Sequence, residues 1–156
     1  MGVNFFRRDT RDTKFVLFEH LQVERLLQYE RFRDFSLDEL AMIVDEAQKV
    51  GREVLGPGLQ DGDRVGCSYA DGVVATPDHW KECWKVLTEN GWLAAVCRPE
   101  FGGQGLPAVV GGLVNEIFNG ANMAMMTYTD LTLGAGELIE AFGSEKDKAL
   151  FVEPMY

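Results

Sequence analysis

Residues 98–107 read RPEFGGQGLP, with three glycines and two prolines in ten positions. Such a cluster can cradle a phosphate, because backbone amides approach an anion closely where no Cβ intervenes. A phosphate loop of the G-x-x-x-x-G-K-[ST] type needs lysine directly after glycine, and no Gly-Lys pair occurs in the chain. Gly103, Gly105 and Ala108 meet the letters of G-x-G-x-x-A, but that fingerprint follows a parallel strand. No strand pattern precedes them and Pro107 interrupts the run. The stretch therefore predicts a structural turn, with glycines at positive φ ahead of a helix beginning near Pro107.

The other chemistry-bearing residues assemble no catalytic set. Nucleophilic catalysis needs a base beside a nucleophile, and His20 and His79 both sit in helical patterns. His79 falls in a first helical turn, where the helix dipole disfavours a cation, so a surface or capping side chain is expected. Cys67, Cys83 and Cys97 are odd in number, far apart and without a Cys-x-x-Cys pair, which argues against zinc and against a disulfide framework. Three reduced thiols in a cytoplasmic protein are the expectation. The stretch NMAMMTYTDL, 122–131, carries methionines that could line an apolar ligand wall, although a Met-rich helix is more often simple core. No catalytic, cofactor-binding or metal residue is assigned.

Composition narrows the partners. The chain has 156 residues, 46% hydrophobic and 26% charged, as an ordinary globular domain does. Its formal charge of −10, from 25 acidic and 15 scattered basic residues, suits neither nucleic acid nor an anionic membrane surface. No run of about 18 apolar residues offers a membrane span. The start, MGVNFFRRDTRDTKF, lacks a signal-peptide pattern, and Phe6 breaks the myristoylation motif.

The elements that would position these residues are helical almost throughout. TKFVLFEHLQVERLL places Phe15, Phe18, Leu21 and Leu26 at loose helical spacing with room for a break. Ser36 and Glu39 form a capping box, and Leu37, Leu40, Ala41, Val44, Ala47, Val54 and Leu55 follow as one stripe, stopped by GPG at 56–58. Residues 59–75 read as an irregular connection. Thr76 as N-cap and Pro77 at the first position open a helix carrying Trp80, Trp84 and Leu87 on one face, and Gly91 ends it. The apolar tract from Ala108 is expected to hold two helices breaking near Asn119 and Gly120. The second, about Asn122 to Phe142, is apolar around most of its circumference and should be buried. Ser144 caps a last amphipathic helix, stopped by Pro154. The fold class is all-α, about six helices.

Two of these stretches, GWLAAVCRPEFGGQGLP and GANMAMMTYTDLTLGAGELIEAFGSEKDKALFVEPM, resemble the N-terminal helical domain of acyl-CoA dehydrogenases. The shared pattern is a Gly-Trp, a Pro-Glu-aromatic-Gly-Gly-x-Gly loop, and a later aromatic-Gly-Ser-Glu turn into a helix ending before a proline. The head, RDTKFVLFEHLQVERLL, together with GDRVGC and GVVATP, is similar to the extra N-terminal segment of a bacterial subgroup that includes methylthiopropionyl-CoA dehydrogenases. The resemblance divides the chain into an extension, 1–35, and the helical domain, 36–156.

The resemblance implies an oxidoreductase that converts an acyl-CoA thioester to its 2,3-enoyl form with FAD and passes electrons to electron-transfer flavoprotein. It also implies that the flavin loop and the catalytic glutamate belong to a β domain and a C-terminal bundle that do not occur in these residues. The fragment is then inactive alone and binds no flavin. What remains here is one wall of the acyl pocket, which the resemblance places at Met123, Thr127 and Leu131 as packing contacts that set chain length. A homo-oligomer is expected, since the helix from Asn122 would expose an apolar patch without its partners. The alternative is a stand-alone helical module for assembly or acyl-chain binding.

Overall fold

Ser36 starts the first long helix as its sequence dictates. Its Oγ accepts from Glu39 N at 3.2 Å, while its own N–H donates to Glu39 Oε2 at 2.7 Å. The computed structural model describes residues 4–156, so the N-terminal targeting reading falls partly outside it, at Met1–Val3. The helices are α1 (Arg11–Lys14), α2 (Leu37–Val50), α3 (Pro57–Val65), α4 (Asp78–Glu89), α5 (Ala108–Phe142), α6 (Glu145–Asp147) and α7 (Glu153–Met155). They bear out the all-α expectation, with a small hairpin added.

The core forms where α2 lies along α5. Leu40, Val44 and Ala47 meet Val110, Val114, Ile117 and Phe118, all buried. Burying each such large apolar side chain contributes roughly 1.5–3 kcal/mol, an upper figure because unfolded chains are already partly collapsed. Residues 4–35 join the same core through buried Leu17 and Val23, with Phe6 and Phe18 packed against it. The helical face expected at Phe15, Phe18, Leu21 and Leu26 is displaced. Residues Phe15–His20 form a wider π turn and Gln22 adopts φ 52°, which turns Leu17 and Val23 inward and leaves Phe15 and Leu21 exposed.

The GPG stretch does not stop the chain's helical course. After α2 a π-helical segment, Gly51–Leu55, leads straight into α3, with Gly56 at helical φ and ψ and Pro57 at the first position. The irregular register frees carbonyls, and side chains from three other segments take them up. Asn4 Nδ2 donates to Arg52 O at 2.6 Å; His79 Nε2 donates to Val54 O at 2.8 Å and the Cys83 thiol reaches it at 3.4 Å. Asn122 Nδ2 donates to Leu55 O at 3.0 Å. The glycines here serve close approach: a Cβ on Gly58 would sit 2.0 Å from the His79 ring. His79 is thus an interhelical strut, neither a surface nor a capping residue.

Residues 59–75 also hold more structure than an irregular connection. After α3, strand β1 (Ser68–Ala70) pairs antiparallel with β2 (Val73–Ala75), Ser68 opposite Ala75. The two-residue turn is Asp71-Gly72, both at positive φ (51° and 81°), the conformation Asp-Gly favours in hairpins. Helix α4 begins one residue later than its proline suggests, with Pro77 as the N-cap and no side-chain cap. Its buried face is Cys83 and Leu87; Trp80 is half-buried and Trp84 points outward. Gly91 ends it at φ 69°, and Trp92 N–H closes back on Leu87 O at 3.0 Å.

Candidate functional site: a groove and an uncovered face on one helix

Helix α5 bends at Asn122, the one residue inside it with non-helical φ and ψ (−159°, 80°). The break expected at Asn119 and Gly120 falls there because Asn122 can recap the helix. Its Oδ1 accepts from Met125 N at 3.1 Å while its amide nitrogen holds Leu55 O, so the buried side chain spends both ends. The following half of α5 is anchored by Met125, Met126 and Thr129. Gly136 lets the Tyr156 ring lie against it, for a Cβ there would be 2.6 Å from Tyr156 Cε1.

That half is not buried all round, contrary to its apolar sequence. Met123, Leu131, Leu138 and Phe142 are exposed by 66, 74, 62 and 83%. Ala124, Tyr128, Leu131, Ala135, Leu138 and Phe142 recur at alternating intervals of four and three, a single exposed seam. The wall residues predicted from the sequence lie here. Met123, Thr127 and Leu131 share one exposed face, and the Thr127 hydroxyl is turned back onto Met123 O at 3.0 Å.

Beside this face runs a groove of about 370 Å³ that sequence reasoning missed. One side is α5, with Met126, Asp130, Leu133 and Glu137; the other is the Trp92–Val96 segment. Gly111 allows the close crossing, because a Cβ on it would meet Val96 Cγ1 at 2.0 Å. Met126, Leu133 and Glu137 follow helical spacing in the sequence, but the partner segment 92–96 is distant in chain order and carries no pattern. A larger concavity, about 570 Å³, lies between α2, the end of α4 and the 104–106 segment, with Val50, Val54 and Leu106 among its lining together with Glu39, Glu46 and Glu53.

The glycine loop borders this region and is a turn. Its amides are already committed: Gly103 N donates to Arg98 O, Gln104 N to Ala94 O, Gly105 N to Cys97 O and Leu106 N to Ala95 O, all at 2.9–3.0 Å. No free amide cradle remains for a phosphate, so the loop does not fit a flavin pyrophosphate. Gly102 and Gly105 take positive φ as expected; Gly103 is required by space, since a Cβ would fall 2.1 Å from Cys97 O. Arg98 Nε pairs with Glu140 Oε1 at 2.7 Å, and Tyr156 OH donates to Glu140 Oε2 at 2.8 Å. Loop, helix and terminal segment are thereby tied together.

The thiols are chemically quiet where buried. Burial pushes Cys83 and Cys97 up to about 11, with nearby Glu82 and Glu137 adding to it. Cys67 is exposed, its sulfur 3.8 Å from Tyr128 OH. Among the described residues no group of three His, Cys, Asp or Glu side chains could hold a metal ion, and no helix is long and apolar enough to cross a membrane.

Comparison with known proteins places this architecture. The family model for the acyl-CoA dehydrogenase N-terminal domain matches residues 37–156. A 3-methylmercaptopropionyl-CoA dehydrogenase of Ruegeria pomeroyi is 30% identical over 154 residues, 96% of this chain and 26% of the relative. A butyryl-CoA dehydrogenase of Syntrophomonas wolfei is 29% identical over 154 residues, 94% of the chain and 24% of the relative. A broad-specificity linear acyl-CoA dehydrogenase of Mycobacterium tuberculosis is 26% identical over 150 residues, covering 94% and 24%. The chain thus spans about a quarter of the length of these relatives.

Proposed function

The chain belongs to the acyl-CoA dehydrogenases, whose N-terminal domain it carries over residues 37–156, and on that premise we propose that it supplies one wall of the acyl pocket. The complete enzyme is FAD-dependent and oxidises an acyl-CoA thioester to its 2,3-enoyl-CoA. The flavin supplies the hydride acceptor. The residues of this chain bind the acyl tail and keep water from it; they make and break no bonds, and the chain by itself is inactive. Residues 1–35 are an extension, and its described part, 4–35, buttresses the 36–156 domain. Electron-transfer flavoprotein takes the electrons, and the enzyme works in the cytoplasm as a homo-oligomer.

One observation carries this reading: a contiguous apolar face on the second half of α5, open beside a groove of about 370 Å³. Among the described residues Trp80 and Cys67 meet this face at Tyr128, and the apolar surface left exposed beyond them calls for an occupant. Met123, Thr127 and Leu131 are the proposed tail contacts. The test is a chain-length series of acyl-CoA thioesters with the complete protein, following flavin bleaching. Leu131→Trp should shorten the longest accepted chain by several carbons. No bleaching with any thioester would sink the dehydrogenase reading; bleaching with an unmoved length profile would sink the wall assignment.

A second reading has its own support. The four-three spacing of Ala124, Tyr128, Leu131, Ala135, Leu138 and Phe142 is that of a helix–helix seam, which favours a module for assembly. In that case the chain self-associates and no acyl-CoA bleaches a flavin.

A further inference from the structure

We propose that the groove beside α5 selects acyl chains carrying a hydrogen-bond donor toward their far end, with Asp130 as the acceptor that recognises it. This rests on the acyl-pocket reading and adds a substrate class to it. Asp130 lies seven residues, or two turns, from Met123, so the groove's carboxylate and the first proposed wall residue project from the same side of α5. Apart from Asn115 and Glu137 the rest of the lining is apolar or glycine, with Trp92, Phe118, Met126 and Leu133 the large side chains. A half-buried carboxylate is out of place in a site for plain alkyl chains.

The carboxylate is also poorly served by the protein. Asn119 Nδ2 reaches Asp130 Oδ2 only at 3.4 Å and is held closer by Asn115 Oδ1 and O, at 2.8 and 3.0 Å. The Thr129 hydroxyl is 3.2 Å from Asp130 Oδ1, yet its single hydrogen has a shorter partner in Met126 O at 2.9 Å. Among the described residues no Lys or Arg lies within ion-pair distance of Asp130. An alkyl tail laid over this group would strip its water and return nothing, whereas a hydroxyl or ammonium restores a charge-assisted hydrogen bond. Glu137, one heptad on and exposed along the same groove, carries the same sign and disfavours an acidic tail.

The experiment compares kcat/KM of the complete dehydrogenase for unsubstituted, ω-hydroxy and ω-amino acyl-CoA thioesters of six, eight and ten carbons. At the best length the donor-bearing tails should be preferred on the order of tenfold or more. Asp130→Leu should reverse the order, losing donor tails and gaining alkyl ones. Asp130→Asn keeps a neutral acceptor of the same size, so it should lose the ammonium tail far more than the hydroxyl. A preference for alkyl tails in the unaltered enzyme, or a donor preference that survives both substitutions, overturns the inference while leaving the dehydrogenase reading intact. Oxidation of none of the thioesters defeats both.

Discussion

Glu140 lies with one carboxylate oxygen 2.7 Å from Arg98 Nε and the other 2.8 Å from the Tyr156 hydroxyl. Its side chain is only 15% exposed, so the pair stands between a surface ion pair and a buried one. Glu140→Gln keeps an acceptor for Tyr156 but removes the charge facing Arg98, and should cost about 1–2 kcal/mol. Glu140→Leu removes both bonds and should cost about 3 kcal/mol in urea unfolding. Stability unchanged from the unaltered chain in both variants would show that the contact ties nothing down.

The GPG stretch makes a second prediction. Gly58→Ala gains roughly 1 kcal/mol of helix propensity but drives a Cβ to 2.0 Å from a His79 ring pinned on Val54 O. The clash should win, leaving a net loss of about 1–2 kcal/mol. Adding His79→Ala to Gly58→Ala should then cost less than the two single losses together, a coupling readable from a double-mutant cycle. Strict additivity would show that the ring is free to move.

Two other glycines should respond with opposite signs. Gly103→Ala places a Cβ 2.1 Å from the Cys97 carbonyl oxygen, a backbone atom that cannot step aside, so a loss of about 3 kcal/mol or more is expected. Gly112 is helical with nothing within 4 Å of its Cβ position, and Gly112→Ala should stabilise by about 0.5–1 kcal/mol. Thermal melts of the two variants shifting in the same direction would contradict this.

Thiol reactivity should separate the three cysteines. Cys83 and Cys97 are pushed up to about 11, so at pH 8 almost none of either is thiolate, and both are buried besides. One fast-reacting thiol is expected with a disulfide reagent, and Cys67→Ser should remove it. The remaining two should react only on unfolding. A second fast thiol in the native protein would mean that the core opens at α4 or at the glycine loop.

The uncovered seam predicts behaviour of the isolated chain. Leu131, Leu138 and Phe142 should drive self-association at micromolar concentration, seen as mass rising with concentration in light scattering. Leu138→Glu should return it to a monomer with little change in melting temperature, because that side chain is already exposed. A monomer before substitution would leave the seam to a different partner.

Local rules were readable at several element ends. They were not at Thr76, where Pro77 takes the N-cap place, nor at Pro154, which sits in the first turn of α7 and does not stop the helical course. Ser36 with Glu39 and Ser144 with Asp147 close their capping boxes, and Gly91 terminates α4 at positive φ. The Asp71-Gly72 hairpin had its signal in plain letters, although the strands it joins are three residues each and wholly exposed, so no alternation marked them. The α2 stripe placed Leu40, Val44 and Ala47 correctly in the core.

What the sequence by itself determined, then, was helix content, caps, the turn character of RPEFGGQGLP and a family resemblance carried by that loop and the AFGSE turn. Tertiary structure alone decided three things. It kept the chain helical through GPG, because His79, Cys83 and Asn122 arrive from 25 to 67 residues away to take carbonyls the irregular register frees. It split the apolar circumference of α5 into a buried side and an open one, which depends on what packs against the helix and not on its own letters. And it set Asp130 across a groove from Trp92, a juxtaposition made by a chain reversal that no periodicity encodes.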